Sequence, residues 1–258
     1  MNRQAQAAVL FLTGAALLHA GLTGLYLRYV KAGLQPLLLL AGALLIVTAL
    51  ATAWYEWKRT RRGPHTGEAT PESAPEADGH GHAEDHGHAH PEPRISWLLI
   101  LPLLALILVA PPALGSYSAM RTGTALQHPY GYTSLPAKNP VPLGLVDYAG
   151  RAVYDHGRSL GGRQVRITGF IALDRTGAPY LVRMALNCCA ADAQPVKIGL
   201  MGKVPPVLQP DSWLEVTGTY TSKQVKDPVN NGPIPFLKVT AARPVPTPHD
   251  PYDETWNT

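Results

Sequence analysis

Three stretches of this chain carry no charged side chain: residues 4–27, 36–55 and 95–114. Each is long enough to cross a hydrocarbon core about 30 Å thick as a helix, which takes roughly 20 residues. The second begins at Pro36, tolerated in a first helical turn. It closes on Trp54, Tyr55 and Trp57, followed by Lys58, Arg59, Arg61 and Arg62. Interfacial aromatics ahead of a basic cluster mark the end of a span. The third contains Pro102, which predicts a kink rather than a break. Between the second and third, residues 58–94 show no apolar periodicity and predict an unstructured polar tether.

Beyond residue 114 the period changes. Val146, Ala149 and Val153 fall at helical spacing within residues 145–156, and Gly157, Gly161 and Gly162 end that helix. Five short runs with strand character follow: RQVRITGFIALD, YLVRMALN, PVKIGLMG, DSWLEVTGTYTS and IPFLKVTAARPV. The segments around Gly169 and Gly218 resemble the glycine-bent strands of an OB-fold, which favours an OB-like barrel over an open sandwich. The fold class expected is mixed membrane α plus all-β, with three transmembrane helices followed by a small OB-like β-barrel. The organisation reads as a transmembrane hairpin over 1–57, a His-rich loop over 58–94 and a third span over 95–114. A linker with a short helix covers 115–162, and the barrel with its tail covers 163–258.

Charge adds orientation. Hydrophobic residues make up 46% of the chain and charged ones only 16%. The first span lacks an Arg-rich start and a small-residue cleavage site, so it reads as a retained helix, with a removed signal peptide as the alternative. Arg3, Lys58, Arg59, Arg61, Arg62 and Arg94 would share one side of the membrane, against Arg28, Lys31 and Arg121 on the other. That bias predicts a multi-pass cell-membrane protein with its N-terminus and His-rich loop cytoplasmic and its C-terminal domain extracytoplasmic. The net charge of +4 forms no dense patch, and the barrel aromatics are scattered, so a nucleic-acid partner is not expected.

Candidate chemistry is concentrated in two places. His80, His82, His86, His88 and His90 fall within the tether, beside Glu84 and Asp85. Imidazole with carboxylate suits borderline divalent cations, zinc first among them. The only cysteines are the adjacent pair Cys188 and Cys189, so no disulfide scaffold exists. Three readings of the pair stand side by side: two small buried hydrophobes, a metal-ligand or redox pair, or a vicinal disulfide. On an extended chain the two side chains would diverge. Asp192 could add a carboxylate or cap the turn before Pro195. His19 is the one histidine within a span; it reads as a functional intramembrane group or, preferred, as a neutral imidazole hydrogen-bonded to a neighbouring helix. His156 follows Asp155 in YDHGR and could meet Cys188 only through the fold. No Gly-rich phosphate loop, HExxH or GxSxG occurs.

The motifs RQVRITGF, LVRMALNCCAADAQPV, DSWLEVTGTY and the closing HDPYDETW, in this order behind an apolar hairpin and a His-rich loop, resemble the YcgQ-type family of bacterial permease subunits. Cys188 and Asp192 match its more constant positions. The resemblance implies a non-enzymatic accessory subunit working with a separate multi-span permease in transition-metal handling. The competing readings are a membrane-anchored thiol redox protein using Cys188 and Cys189, and a structural module for protein docking.

Overall fold

The computed structural model describes residues 3–61, 101, 104–105, 108–109 and 112–253. The five histidines between positions 80 and 90, and most of the third span expected over 95–114, lie outside the described residues. The chain divides into two compact units: Met1–His19 with Leu38–Ala110, and Ala20–Leu37 with Pro111–Thr258.

Two helices, α1 (Arg3–Thr23) and α2 (Gln35–Arg61), supply the first unit. Both are long and apolar enough to cross a membrane. They approach closely at two glycines: a Cβ added to Gly14 would stand 2.8 Å from the Gly42 carbonyl oxygen. Small residues at such crossings let backbones approach where lipid removes any hydrophobic drive for helices to associate. Leu40, Leu44, Val47 and Leu50 of α2 are exposed, as suits side chains that meet lipid. At its polar end the Arg61 guanidinium lies 3.6 Å from the Trp57 ring centre, and the Lys58 ammonium 5.2 Å from that of Trp54. Such cation–aromatic pairs fit a membrane–water interface.

The second unit is organised around five strands. These are β2 (Val165–Leu173), β3 (Pro179–Ala185), β4 (Gln194–Gly202), β5 (Trp213–Lys226) and β6 (Pro233–Pro244). β2 pairs antiparallel with β3 and β5, β3 with β4, and β5 with β6. A parallel pairing of β4 with β6 closes the ring into a mixed five-stranded β-barrel. Two short strands that alternation did not predict extend the sheet: β1 (Val141–Pro142) beside β2, and β7 (Tyr252–Asp253) beside β3.

Alternation explains the interior. Val165, Ile167 and Ile171 join Leu181, Val196, Ile198, Val216 and Leu237 in one buried cluster. Two further helices cover the barrel, α3 (Ser116–Arg121) and α4 (Leu145–Val153). Leu145, Tyr148, Ala149 and Ala152 of α4 enter the same cluster at helical spacing. The helix is shorter than the 145–156 expected, and the chain turns at Gly157, whose φ is 71°. Phe170, Ala172, Val182 and Met184 alternate to the opposite face, where Ala119 of α3 and Tyr252 of β7 cover them. β2 and β3 are therefore apolar on both faces, which explains their nearly continuous hydrophobic runs.

Two positions fix the barrel's shape. The β5–β6 register shifts between Thr217 and Gly218, and a Cβ at Gly218 would lie 2.6 Å from the Lys238 carbonyl oxygen. Lys197 would face solvent by alternation, yet only 2% of its side chain is exposed. Its ammonium donates to the Thr122 carbonyl and to Asp227, itself wholly buried, at 2.8 and 2.7 Å. The Asp227 carboxylate also accepts the Thr124 and Val229 backbone N–H groups. Residues 122–125 are thereby fastened across β4.

Gly218→Ala is expected to destabilise the barrel by about 1–3 kcal/mol through forced strand separation. Asp227→Ala strands a buried ammonium and is expected to cost about 3–5 kcal/mol. Thermal unfolding of the full chain in detergent measures both.

Candidate metal centre

β3 ends at Ala185, and the Leu186 N–H is taken by the Asp253 carbonyl at 3.0 Å. The chain then bends through Asn187 and Cys188 and makes one 3-10 turn, Ala190–Asp192, before β4 begins. The Asp192 N–H donates to the Cys189 carbonyl at 3.0 Å. The Asp192 carboxylate folds back over the turn, accepting the Asn187 N–H at 3.1 Å and the Cys188 N–H at 2.9 Å. This is the capping role open to a carboxylate before Pro195. It also carries an oxygen toward the thiols.

The bend brings together side chains that a straight strand would separate. Both sulfur atoms and an Asp192 oxygen lie within 4.8 Å of one another. Among the described residues this is the one group of three His, Cys, Asp or Glu side chains close enough together to hold a metal ion. Both cysteines are free thiols, Cys188 exposed and Cys189 half-buried.

The electrostatics follow from this geometry. The Cys188 thiol hydrogen-bonds to Asp192 and then to Cys189, and these neighbours push its pKa up to about 12. Burial disfavours the charged Asp192, but hydrogen bonds from the Cys188 thiol and from the Cys188, Asn187 and Cys189 backbone outweigh it and hold its pKa below the usual carboxylate range. Without metal, Cys188 is therefore a protonated thiol at neutral pH and a weak nucleophile. A cation entering here would displace that proton and meet thiolate and carboxylate donors, a set suited to zinc and similar ions.

A second chain segment lies against the same backbone. The connection between α1 and α2 consists of two 3-10 turns, Leu25–Arg28 and Ala32–Leu34. Between them Val30 forms an antiparallel bridge with Cys189. The Lys31 N–H donates to the Cys188 carbonyl at 3.1 Å, and the Ala190 N–H donates to the Tyr29 carbonyl at 2.7 Å. Tyr26 and Leu27 are buried. Tyr252 of β7 secures the segment: its hydroxyl donates to the Arg28 carbonyl at 2.9 Å and accepts the Leu114 N–H at 3.2 Å.

The sequence reading singled out Cys188, Cys189 and Asp192, and the fold gathers all three. It missed Tyr29–Lys31 and Tyr252. The closing HDPYDETW motif, which contains Tyr252, was a signal without an assigned partner. His156 sits exposed in the turn after α4, at φ 53°, and is not part of the group.

The thiol's environment gives a pH test. Because the Cys188 pKa lies far above neutrality, its thiolate fraction rises about tenfold per pH unit, so its alkylation should climb from pH 7 to 10 without a plateau. Asp192→Asn removes the anion that raises the pKa and is expected to speed alkylation at pH 8 about tenfold or more. Timed alkylation of the metal-free chain, with Cys188 and Cys189 resolved by tandem fragmentation, measures this.

No curated protein and no solved structure matches the chain. Residues 148–253, which run from within α4 through β7 and include Cys188, Cys189 and Asp192, match the family described as the DUF1980 C-terminal domain.

Proposed function

We propose that this chain is the accessory subunit of a separate multi-span permease and handles a divalent transition metal, zinc first, at Cys188, Cys189 and Asp192. The observation that carries the reading is the convergence of two thiols and a carboxylate within 4.8 Å on one short turn. Three protein donors leave a fourth position open, as in zinc sites that exchange a ligand rather than serve the fold. The exposure of Cys188 gives an ion access.

The barrel's connectivity supports an OB-like assignment. Three strands meander as β2–β3–β4, β5 returns to β2, and β6 closes in parallel against β4. Ala20–Leu37 falls in the same compact unit as the barrel, which supports placing the α1–α2 connection and the barrel on one face of the membrane. A chain that leaves this face along α2 must cross back before Pro112. The uncharged stretch 95–114 is long enough to do so. With the basic residues after α2 inside, the barrel is extracytoplasmic and the five histidines are cytoplasmic, where they would capture metal on the other side. Three spans with almost no polar groups make a poor carrier on their own, so transport falls to the partner. The raised Cys188 pKa weighs against the thiol redox alternative, which requires a reactive thiolate.

Elemental analysis of detergent-purified protein reloaded with zinc tests the reading. Near-stoichiometric zinc is expected. It should be lost in Cys188→Ser/Cys189→Ser, while changing His80, His82, His86, His88 and His90 to Ala removes only additional, weaker binding. A chain that binds no zinc at neutral pH rules the reading out. Co-purification of a multi-span protein in mild detergent tests the partner.

A further inference from the structure

The candidate metal site and the α1–α2 connection share one stretch of backbone. Cys188 and Cys189 turn their sulfur atoms toward Asp192, while the Cys188 carbonyl, the bridge at Cys189 and the Ala190 N–H are engaged by Lys31, Val30 and Tyr29. A ligand that gathers both thiols and the carboxylate therefore also restrains the main chain on which this segment is docked. Without it, the turn is held by the N–H groups capped by Asp192 and by its own 3-10 hydrogen bonds. The docked segment is joined to the barrel by hydrogen bonds at Lys31 and Ala190 and by the Tyr252 hydroxyl on Arg28. Its ends run directly into α1 and α2, and the Gln35 side-chain amide donates to the Gly21 carbonyl at 3.0 Å across them. A change in docking reaches both helix ends together.

We propose that occupancy of the Cys188–Cys189–Asp192 site sets how tightly residues 24–34 are held on the barrel, so that metal loading is communicated to the membrane hairpin. This rests on the metal reading of the preceding subsection. The coupling is reciprocal: whatever factor zinc adds to docking, docking adds to zinc affinity.

Lys31 offers a clean perturbation. Its φ of −56° is already that of proline, so Lys31→Pro deletes the N–H that holds the Cys188 carbonyl without demanding a new backbone angle. Lys31→Ala retains that N–H and serves as the control. The full chain in detergent is titrated with zinc, and amide hydrogen exchange over residues 24–34 is followed with and without saturating metal. Zinc is expected to slow exchange of these amides in the wild type on the order of fivefold, the worth of one backbone hydrogen bond. Lys31→Pro should weaken zinc binding by a similar factor, and Lys31→Ala should bind as the wild type does. Zinc that binds equally to wild type and Lys31→Pro, with exchange over 24–34 unchanged or accelerated, overturns the coupling and leaves the site standing. A wild-type chain that binds no zinc removes the site and the coupling with it. The wild-type exchange measurement needs no variant, so it decides the matter even if Lys31→Pro folds poorly.

Discussion

A single phenol oxygen holds three distant parts of this chain in register. Tyr252 is buried, and a buried hydroxyl must find partners or cost its desolvation. It finds the Arg28 carbonyl after α1 and the Leu114 N–H ahead of α3, while its own backbone pairs β7 with β3. β3 leads straight into the bend that carries Cys188. The strand that fixes the site's start and the segment that lies against it are thus located by the same residue. Arg183, which bonds the Tyr252 carbonyl at 2.8 Å and lies 5.1 Å from the Trp213 ring centre, fastens that strand in turn.

The barrel frames the short turn that carries the candidate donors. β3 and β4 are paired with each other from Tyr180–Gly199 to Ala185–Gln194, so both ends of the turn are fixed by ladder hydrogen bonds. Within it, three donor side chains fall in five consecutive residues, and Asp192 sets their spacing by bonding to backbone rather than to a distant partner. Such a site is pre-arranged by a rigid support yet keeps one donor at the surface. The histidine tract differs in kind, since its donors are imidazoles dispersed along a polar stretch with no comparable frame in its sequence.

Local pattern made much of this architecture legible. Charge-free stretches marked α1 and α2, period-two alternation marked the five strands, and Gly218 marked a register shift where a carbonyl leaves no room for a methyl group. The cysteine pair and Asp192 were recognisable as candidate donors because their chemistry is rare in this chain. What was not legible depends on contacts between remote segments. Lys197 looks like an outward strand residue, and only the crossing of residues 122–125 and the arrival of Asp227 bury it. β7 is two residues long and exists because β3 offers it an edge. No periodicity in residues 24–34 announces that Val30 will pair with Cys189.

The clasp between Tyr252 and Arg28 spans 224 positions of sequence. At roughly 5–20 residues per second, a ribosome delivers Tyr252 about 11–45 seconds after Arg28. The Arg28 carbonyl after the first helix must therefore wait for its phenol partner until the strands of the barrel have been made. A chain that stops between Asp192 and Tyr252 would hold the cysteine turn while lacking the residue that fastens its neighbour.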